Sequence, residues 1–239
     1  MGDSIKLNSG FWNFNLNFWE RNSYRYDDAK MFDTDILIVD TSTLNPEYYS
    51  MSTKEKNKIR NHWINALPLL HNVEYLMTTH QIDQDFFDAI CQMKNLKGLY
   101  IKWGKVEITN NIKTLNKLEH LYFGSNPRLQ SIEGFQHLTN LKHLEIENFK
   151  SVLDFSNLEK LNNLLTLKIT GSVNSPAVPI KDLYFLKNLV NLEELVLGIS
   201  LKNKDVTPLL NLKKIKFLFL PSSIEKLLIK EKQKIIKSK

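Results

Sequence analysis

The stretch LTNLKHLEI, residues 138–146, decides the fold, because its frame of regularly spaced apolar residues occurs six more times in the chain. The other copies are LHNVEYLMT (70–78), MKNLKGLYI (93–101), LNKLEHLYF (115–123), LNNLLTLKI (161–169), LVNLEELVL (189–197) and LKKIKFLFL (212–220). The third apolar residue of each copy, from Leu76 to Leu218, recurs at a nearly constant interval, with one longer gap between Leu167 and Leu195. Such self-similarity predicts an array of stacked structural repeats.

Each copy combines two kinds of periodicity. Its last three positions alternate apolar and variable residues, as in Leu144-Glu145-Ile146, which is typical of a half-buried strand. Upstream, apolar pairs such as Phe135 and Leu138 are three residues apart, which suits a short helix or a 3₁₀ turn. One strand and one turn cannot bury their apolar faces alone, so the units must stack into a solenoid with a continuous core.

These segments resemble the leucine-rich repeats of the 22–23-residue class, which is found in internalins and in the phosphatase-binding regulatory subunit. SIEGFQHLTNL (131–141) and KDLYFLKNLVNL (181–192) are similar to the convex segment of that class. The resemblance covers roughly residues 67–220. It implies an α/β solenoid, with a curved parallel β-sheet on the concave side and short helices or 3₁₀ turns on the convex side.

The turn after each strand departs from the family pattern. Leucine-rich repeats usually carry Asn or Cys there, and only Asn126 conforms. The equivalent positions elsewhere are Gln81, Gly104, Phe149, Ser172 and Ser200. We therefore expect degenerate repeats, whose turns satisfy their backbone groups in another way.

The solenoid needs caps, because an open end would expose its core. We assign residues 1–66 to an N-terminal cap region and 67–220 to the repeats. Ser52 and Glu55 form a capping-box pattern, which predicts a helix over about 53–66. Before it, DILIVD (35–40) is predicted to form a buried strand, plausible as the first of the sheet, and the alternation in residues 11–19 predicts another.

Two further segments complete the predicted organisation. Residues 221–239 are predicted to form a C-terminal capping helix and a basic tail, with the helix beside Phe217 and Phe219. The long gap between repeats is assigned to Gly171–Pro179, which we expect to be a loop because it is rich in Gly, Pro and Ser.

The net charge of +6 is concentrated at one end of the chain. Residues 213–239 carry +7, which leaves −1 for the rest. A nucleic-acid-binding domain usually shows a basic face along its body, so we read the tail as a solubilising helix end. Binding of nucleic acid or another acidic surface through the Lys-rich tail remains an alternative.

Composition and motifs exclude several classes of function. The single cysteine, Cys91, rules out a disulfide scaffold and a Cys-based zinc site, and its place in the repeat predicts an outward position and an incidental thiol. No stretch reaches the roughly 18 apolar residues that span a bilayer, and the N-terminus does not look like a signal peptide, so we expect a cytoplasmic protein that does not enter membranes. No phosphate loop, nucleophile elbow or metalloprotease motif is present.

One cluster of polar side chains suggests an alternative function that involves a metal ion. His120 and His143 occupy the same place on adjacent predicted strands, about 4.8 Å apart, and Glu145 shares their face. Two histidines and a carboxylate can hold zinc or iron. A metal-dependent enzyme or metal-binding protein is therefore an alternative to protein recognition. We nevertheless predict that the protein is not an enzyme and needs no metal or cofactor.

The leading hypothesis is a non-enzymatic protein-protein interaction module that binds another protein on its concave sheet. The predicted concave side chains include aromatic types that are enriched in interfaces. The candidate partner-binding residues are Tyr75, Met77, Tyr100, Trp103, His120, Tyr122, His143, Glu145 and Lys168. Tyr100 and Tyr122 are expected to face solvent in the free protein, which we expect to be a monomer. Abundant Lys, Asn and Ile suggest a bacterial source, and hence an immunity protein, antitoxin or regulatory adaptor.

Overall fold

The strands of the repeats form one parallel sheet. The computed structural model describes residues 29–39, 49–172 and 176–237. In chain order the strands are β1 (Ile36–Val39), β2 (Tyr75–Asp83), β3 (Gly98–Lys105), β4 (His120–Ser125), β5 (His143–Glu147), β6 (Thr166–Thr170), β7 (Val178–Ile180), β8 (Glu194–Leu197), β9 (Ile199–Leu201) and β10 (Phe217–Phe219). The main sheet has eight strands in the order β1-β2-β3-β4-β5-β6-β8-β10, all parallel, which confirms the predicted solenoid.

Short helices line the opposite, convex side. The 3₁₀ helices of the repeats span Asn110–Thr114, Glu133–His137, Ser156–Lys160, Tyr184–Asn188 and Thr207–Asn211, and an α-helix, α2 (Gln84–Ile90), takes that place after β2. The leucines that point inward from the strands pack against these turns. Leu76, Leu99 and Leu144 are almost fully buried. Each unit thus contributes one strand and one turn to a continuous core.

The N-terminal part of the described chain contains the predicted helix and strand. Helix α1 (Thr53–Ala66) begins at the capping box of Ser52 and Glu55, and its Ile59 and Trp63 are buried in the core. β1 pairs in parallel with β2, with Leu37 opposite Leu76, which confirms the strand predicted in DILIVD and makes it the first of the described strands in the sheet. The strand predicted over residues 11–19 lies outside the described residues.

Asparagines support the turns at both ends of the strands. Asn126, the one residue that matches the family pattern, is buried, and its amide group exchanges two hydrogen bonds with the backbone of Val106. A second series of asparagines precedes the strands. Each amide nitrogen donates to a backbone carbonyl of the preceding unit: Asn72 to Phe32, Asn95 to His71, Asn140 to Asn116, Asn163 to Thr139 and Asn191 to Asn162. In the family pattern the asparagines that support the turns follow the strands. In this chain most of them precede the strands instead.

Two expectations about individual segments are wrong. Gly171–Pro179 is not a loop throughout, because Val178–Ile180 forms β7 and pairs with β9 in a separate two-stranded sheet. Cys91 does not point outward, because it closes α2 and is buried in the core, unlike the polar residues at the same place in later repeats. An α-helical turn replaces a 3₁₀ turn here, which rotates the side chain inward.

The C-terminal helix covers only part of the last repeat. Helix α3 (Ser222–Lys237) buries Ile224 and Leu228, yet Phe217 and Phe219, which we expected beside this helix, stay exposed. Among the described residues, no helix is both long enough and apolar enough to cross a membrane.

Candidate functional site

Two rows of side chains run across the concave face of the sheet. The first row holds the residue before each inward leucine, in the order Ile36, Tyr75, Gly98, His120, His143, Thr166, Glu194 and Phe217. The second row holds the residue after it, in the order Ile38, Met77, Tyr100, Tyr122, Glu145, Lys168, Val196 and Phe219. The parallel register keeps every member of a row one strand spacing from the next.

The N-terminal half of the second row is an apolar cluster. Tyr100 and Tyr122 stack with ring centroids 4.1 Å apart and planes 10° apart. Met77, Ile36 and Ile38 extend this cluster, and Tyr75 packs at its margin. Tyr100 is only 9% exposed, so the expectation that both rings face solvent is wrong for Tyr100, although Tyr122 is partly exposed. Burial between its neighbours also raises the pKa of Tyr100 to about 12.

The centre of the first row is a pair of stacked histidines. The rings of His120 and His143 lie 4.6 Å apart with nearly parallel planes, as the shared row predicted. Nδ1 of His143 is 2.9 Å from the hydroxyl of Thr166, which is buried. Burial, and then the neighbouring His143, lower the pKa of His120 to about 4. Burial also lowers the pKa of His143, so the uncharged form of both rings is favoured and the stacking does not bring two positive charges together.

Acidic groups adjoin the tyrosines and histidines. Glu145 forms an ion pair with Lys168 on the next strand, and its side chain is almost completely buried. Burial raises the pKa of this carboxyl, although Lys168 acts against the change. The hydroxyl of Tyr122 donates a hydrogen bond of 2.5 Å to Glu147. Among the described residues, no group of three His, Cys, Asp or Glu side chains is arranged to hold a metal ion.

The structure brings the predicted site residues onto adjacent strands, β2 to β6. Trp103 lies further along β3, and it is 38% exposed with Nζ of Lys102 located 4.4 Å from its ring centre, a cation–π contact. Met77 and Glu145 are among the nine but are buried, as is Tyr100. They can support a docking surface without forming most of its area.

Four residues of this face were not among the candidate residues chosen from the sequence. Ile36 and Ile38 on β1 continue the two rows, and only the pairing of β1 with β2 shows which residues of this uninterrupted apolar run face the concave side. Glu147 and Thr166 bond to Tyr122 and His143, and these partners follow only from the register of the strands.

Comparison with known proteins gives a likeness of fold. No family model and no curated protein matches the sequence. A leucine-rich repeat protein from Leptospira interrogans is 22% identical with a TM-score of 0.51, over 65% of this chain and 38% of its own. An internalin from Listeria monocytogenes is 22% identical with a TM-score of 0.45, over 63% of this chain and 55% of its own.

A second solved structure from the same bacterium, internalin C2, is 23% identical with a TM-score of 0.49, over 64% of this chain and 74% of its own. The chain thus spans about half the length of the first internalin and well under half of the Leptospira protein. The seven sequence repeats, the parallel sheet and the likeness to the Leptospira protein agree that the chain is a leucine-rich repeat protein in its fold.

Proposed function

We propose that the chain is a non-enzymatic protein-protein interaction module, and that its partner docks on the concave face over β2 to β6. The observation that carries the proposal is the row of aromatic and polar side chains held in register on that face. A surface that served only solvation would carry Lys, Glu and Ser at these positions. Tyrosine, tryptophan and histidine instead offer large contact areas with little rotamer entropy to lose.

The side chains are already fixed before a partner arrives. Tyr122 is held by its stacking on Tyr100 and by its hydrogen bond to Glu147. His143 is held by His120 and Thr166. Such order lowers the entropy cost of association, because fewer rotamers are frozen on binding.

The finer role that we propose is that of a cytoplasmic bacterial immunity protein, antitoxin or regulatory adaptor, monomeric when unbound. This part is supported by the Lys-, Asn- and Ile-rich composition of the sequence. A protein of this kind acts by covering a surface of its partner, which needs a rigid face and no catalytic group.

The experiment places a photo-cross-linking amino acid on each side of the sheet. Thr170 lies on the concave face at the end of β6, and Glu159 is exposed on the convex 3₁₀ helix of the same repeat. In the native host, a partner should cross-link at position 170 and not at 159. Cross-linking at 159 alone, or at neither position, contradicts the proposal.

With the partner identified, Tyr122→Ala measures the contribution of the face. Loss of a hot-spot ring should weaken binding by about 2 kcal/mol, or roughly thirtyfold. Glu159→Ala is the control on the convex side and should bind as the wild type does.

A further inference from the structure

The last strand of the main sheet has an open edge. β10 pairs with β8 through one edge and ends the strand order, and no described residue forms a strand along its other edge. Its three side chains are exposed: Phe217 by 52%, Leu218 by 39% and Phe219 by 56%. The corresponding inward leucine of β8, Leu195, is fully buried. At the inward position, the end repeat therefore exposes a leucine whose equivalents in the earlier repeats are buried.

The C-terminal helix leaves this edge accessible. α3 packs on the convex turn of the last repeat, the 3₁₀ helix Thr207–Asn211, and buries Ile224 and Leu228. Ile229 and Ile236 of the same helix are exposed. The helix thus covers the convex half of the last repeat and leaves its strand uncovered.

The backbone of β10 is oriented to accept another strand. The N–H of Phe217 donates to the carbonyl of Glu193, at 3.1 Å, so Phe217 faces β8. In a strand, successive backbone groups point to opposite edges, so the N–H and C=O of Leu218 point to the open edge. Open edges of this kind are where peptides add to sheets, with backbone hydrogen bonds that give affinity.

The positive charge of the residues that flank β10 in sequence favours an acidic partner. Lys213, Lys214 and Lys216 are exposed immediately before the strand, and Lys226 and Lys230 are exposed on α3 after it. Lys213 donates to the carbonyl of Leu210, and Lys214 and Lys216 donate to Asn191 and Glu193 of the preceding repeat. Glu193 is the one acidic partner among these three, and the segment 213–239 carries a net +7 in sequence. A second copy of this end would bring the same positive charge, which opposes edge-to-edge pairing of two chains. An acidic segment is the complementary occupant.

We propose that the open edge of β10 binds an extended, acidic segment of a partner protein, which adds to the sheet as a further parallel or antiparallel strand. Apolar side chains of that segment pack beside Phe217 and Phe219 on the concave side and beside Leu218 on the other. Its carboxylates lie among the lysines. This edge is separate from the face over β2 to β6.

The test uses an acetylated, amidated octapeptide of alternating glutamate and valine, titrated against the full chain. It should bind, and the matching lysine-valine peptide should bind at least about tenfold more weakly because the lysines repel it. Hydrogen exchange at the amide of Leu218 should slow on binding, whereas that of Phe217, already bonded to Glu193, should change little.

Two variants at one position separate the backbone from the side chain. Leu218→Pro removes the outward N–H, and Leu218→Ala keeps it while removing most of the side chain. Affinity should fall at least about tenfold in L218P and less than about threefold in L218A. Should L218P not fold, a peptide N-methylated at alternate residues replaces it, and it should bind the wild type at least about tenfold more weakly.

Several results would overturn the proposal. They are absence of peptide binding, equal affinity for the acidic and basic peptides, or equal losses in L218P and L218A. Concentration-dependent dimerisation that L218P abolishes would assign the edge to a second copy instead. Binding to phosphatidylglycerol vesicles, with none to the peptide, would assign it to an anionic membrane. Tyr122→Ala should leave peptide binding unchanged, so this test is independent of the concave-face proposal.

Discussion

Tyr100 and Tyr122 lie on adjacent strands at the same register and stack face to face, with 4.1 Å between ring centroids. Tyr100 is buried beneath its neighbours, whereas Tyr122 keeps an exposed part. We therefore propose different roles for the two rings, stability for Tyr100 and partner contact for Tyr122, although they occupy equivalent places in consecutive repeats.

Truncation should separate these roles. We expect Tyr100→Ala to lower the free energy of unfolding by about 3 kcal/mol, because it leaves a cavity in the apolar cluster. Tyr122→Ala should cost about 1–2 kcal/mol, since its ring is less buried. Urea unfolding of both variants and the double variant measures the coupling, which we expect to be about 1 kcal/mol. Additive losses would show that the stacking itself contributes nothing.

Asn126 should be the most costly of the turn asparagines to replace. Asn126→Ala leaves the N–H and C=O of Val106 unsatisfied in the core, and we expect a loss of about 2–3 kcal/mol. Asn163→Ala is the matched control, because its single bond to the carbonyl of Thr139 is exposed to water and should cost less than about 1 kcal/mol. Equal losses in thermal or urea unfolding would contradict the role of burial.

Gly124 is required by the close approach of the preceding strand. A Cβ at this position would lie 2.9 Å from the carbonyl oxygen of Ile101 and closer still to that of Lys102. Gly124→Ala should therefore destabilise the fold by about 2–3 kcal/mol, because the backbone of β3 must move. At Gly104 the nearest atoms belong to the side chains of Phe123 and Asn126, at 3.2 and 3.3 Å.

Gly104→Ala serves as the comparison for that variant. Its neighbours are side chains that can adjust by a few tenths of an ångström, so the loss should be clearly smaller. Thermal unfolding of the two variants compares their losses of stability. A G124A protein as stable as the wild type would show that β3 and β4 are further apart.

Stability should fall as the solution is acidified below neutral pH. The pKa of His120 is about 4 in the folded chain, below the ordinary value of 6.5, so the unfolded chain binds a proton that the folded chain does not. Stability is then lost as the pH falls from about 6.5 towards 4, by about 1–3 kcal/mol from this group. The pKa of His143 is also lowered, by burial and by Lys142, which acts in the same direction.

Urea unfolding at two pH values tests this. The difference between pH 7 and pH 5 should shrink in His120→Gln and persist in His71→Gln, which alters an exposed side chain. An unchanged difference in H120Q would assign the pH dependence to other groups.

The thiol of Cys91 should not react in the native protein. The side chain is buried, and burial raises its pKa well above the ordinary value, so the reactive thiolate is scarce. A thiol reagent such as dithionitrobenzoate should modify it only at the rate of unfolding, and fully in urea. Rapid native modification would show that α2 opens readily.

Much of the fold could be predicted because it depends on local periodicity. An apolar pattern that recurs in each repeat predicts the inward leucines, the strand positions and the convex turns. Because the pattern recurs, misassigning one repeat does not change the assignment of the others. The capping box of α1 is equally local, because Ser52 and Glu55 are three residues apart. The partner-binding residues stay a prediction, because the frame shows which residues share a face and says nothing of what they bind.

What only the tertiary structure decided is which of the concave side chains are covered. Tyr100 is buried because Tyr122, Met77 and β1 surround it, and those contacts join residues far apart in sequence. Cys91 turned inward because α2 is an α-helical rather than a 3₁₀ turn, a choice that the repeat frame does not encode. The open edge of β10 likewise depends on how α3 packs, since an amphipathic pattern predicts a helix but does not determine which surface it covers.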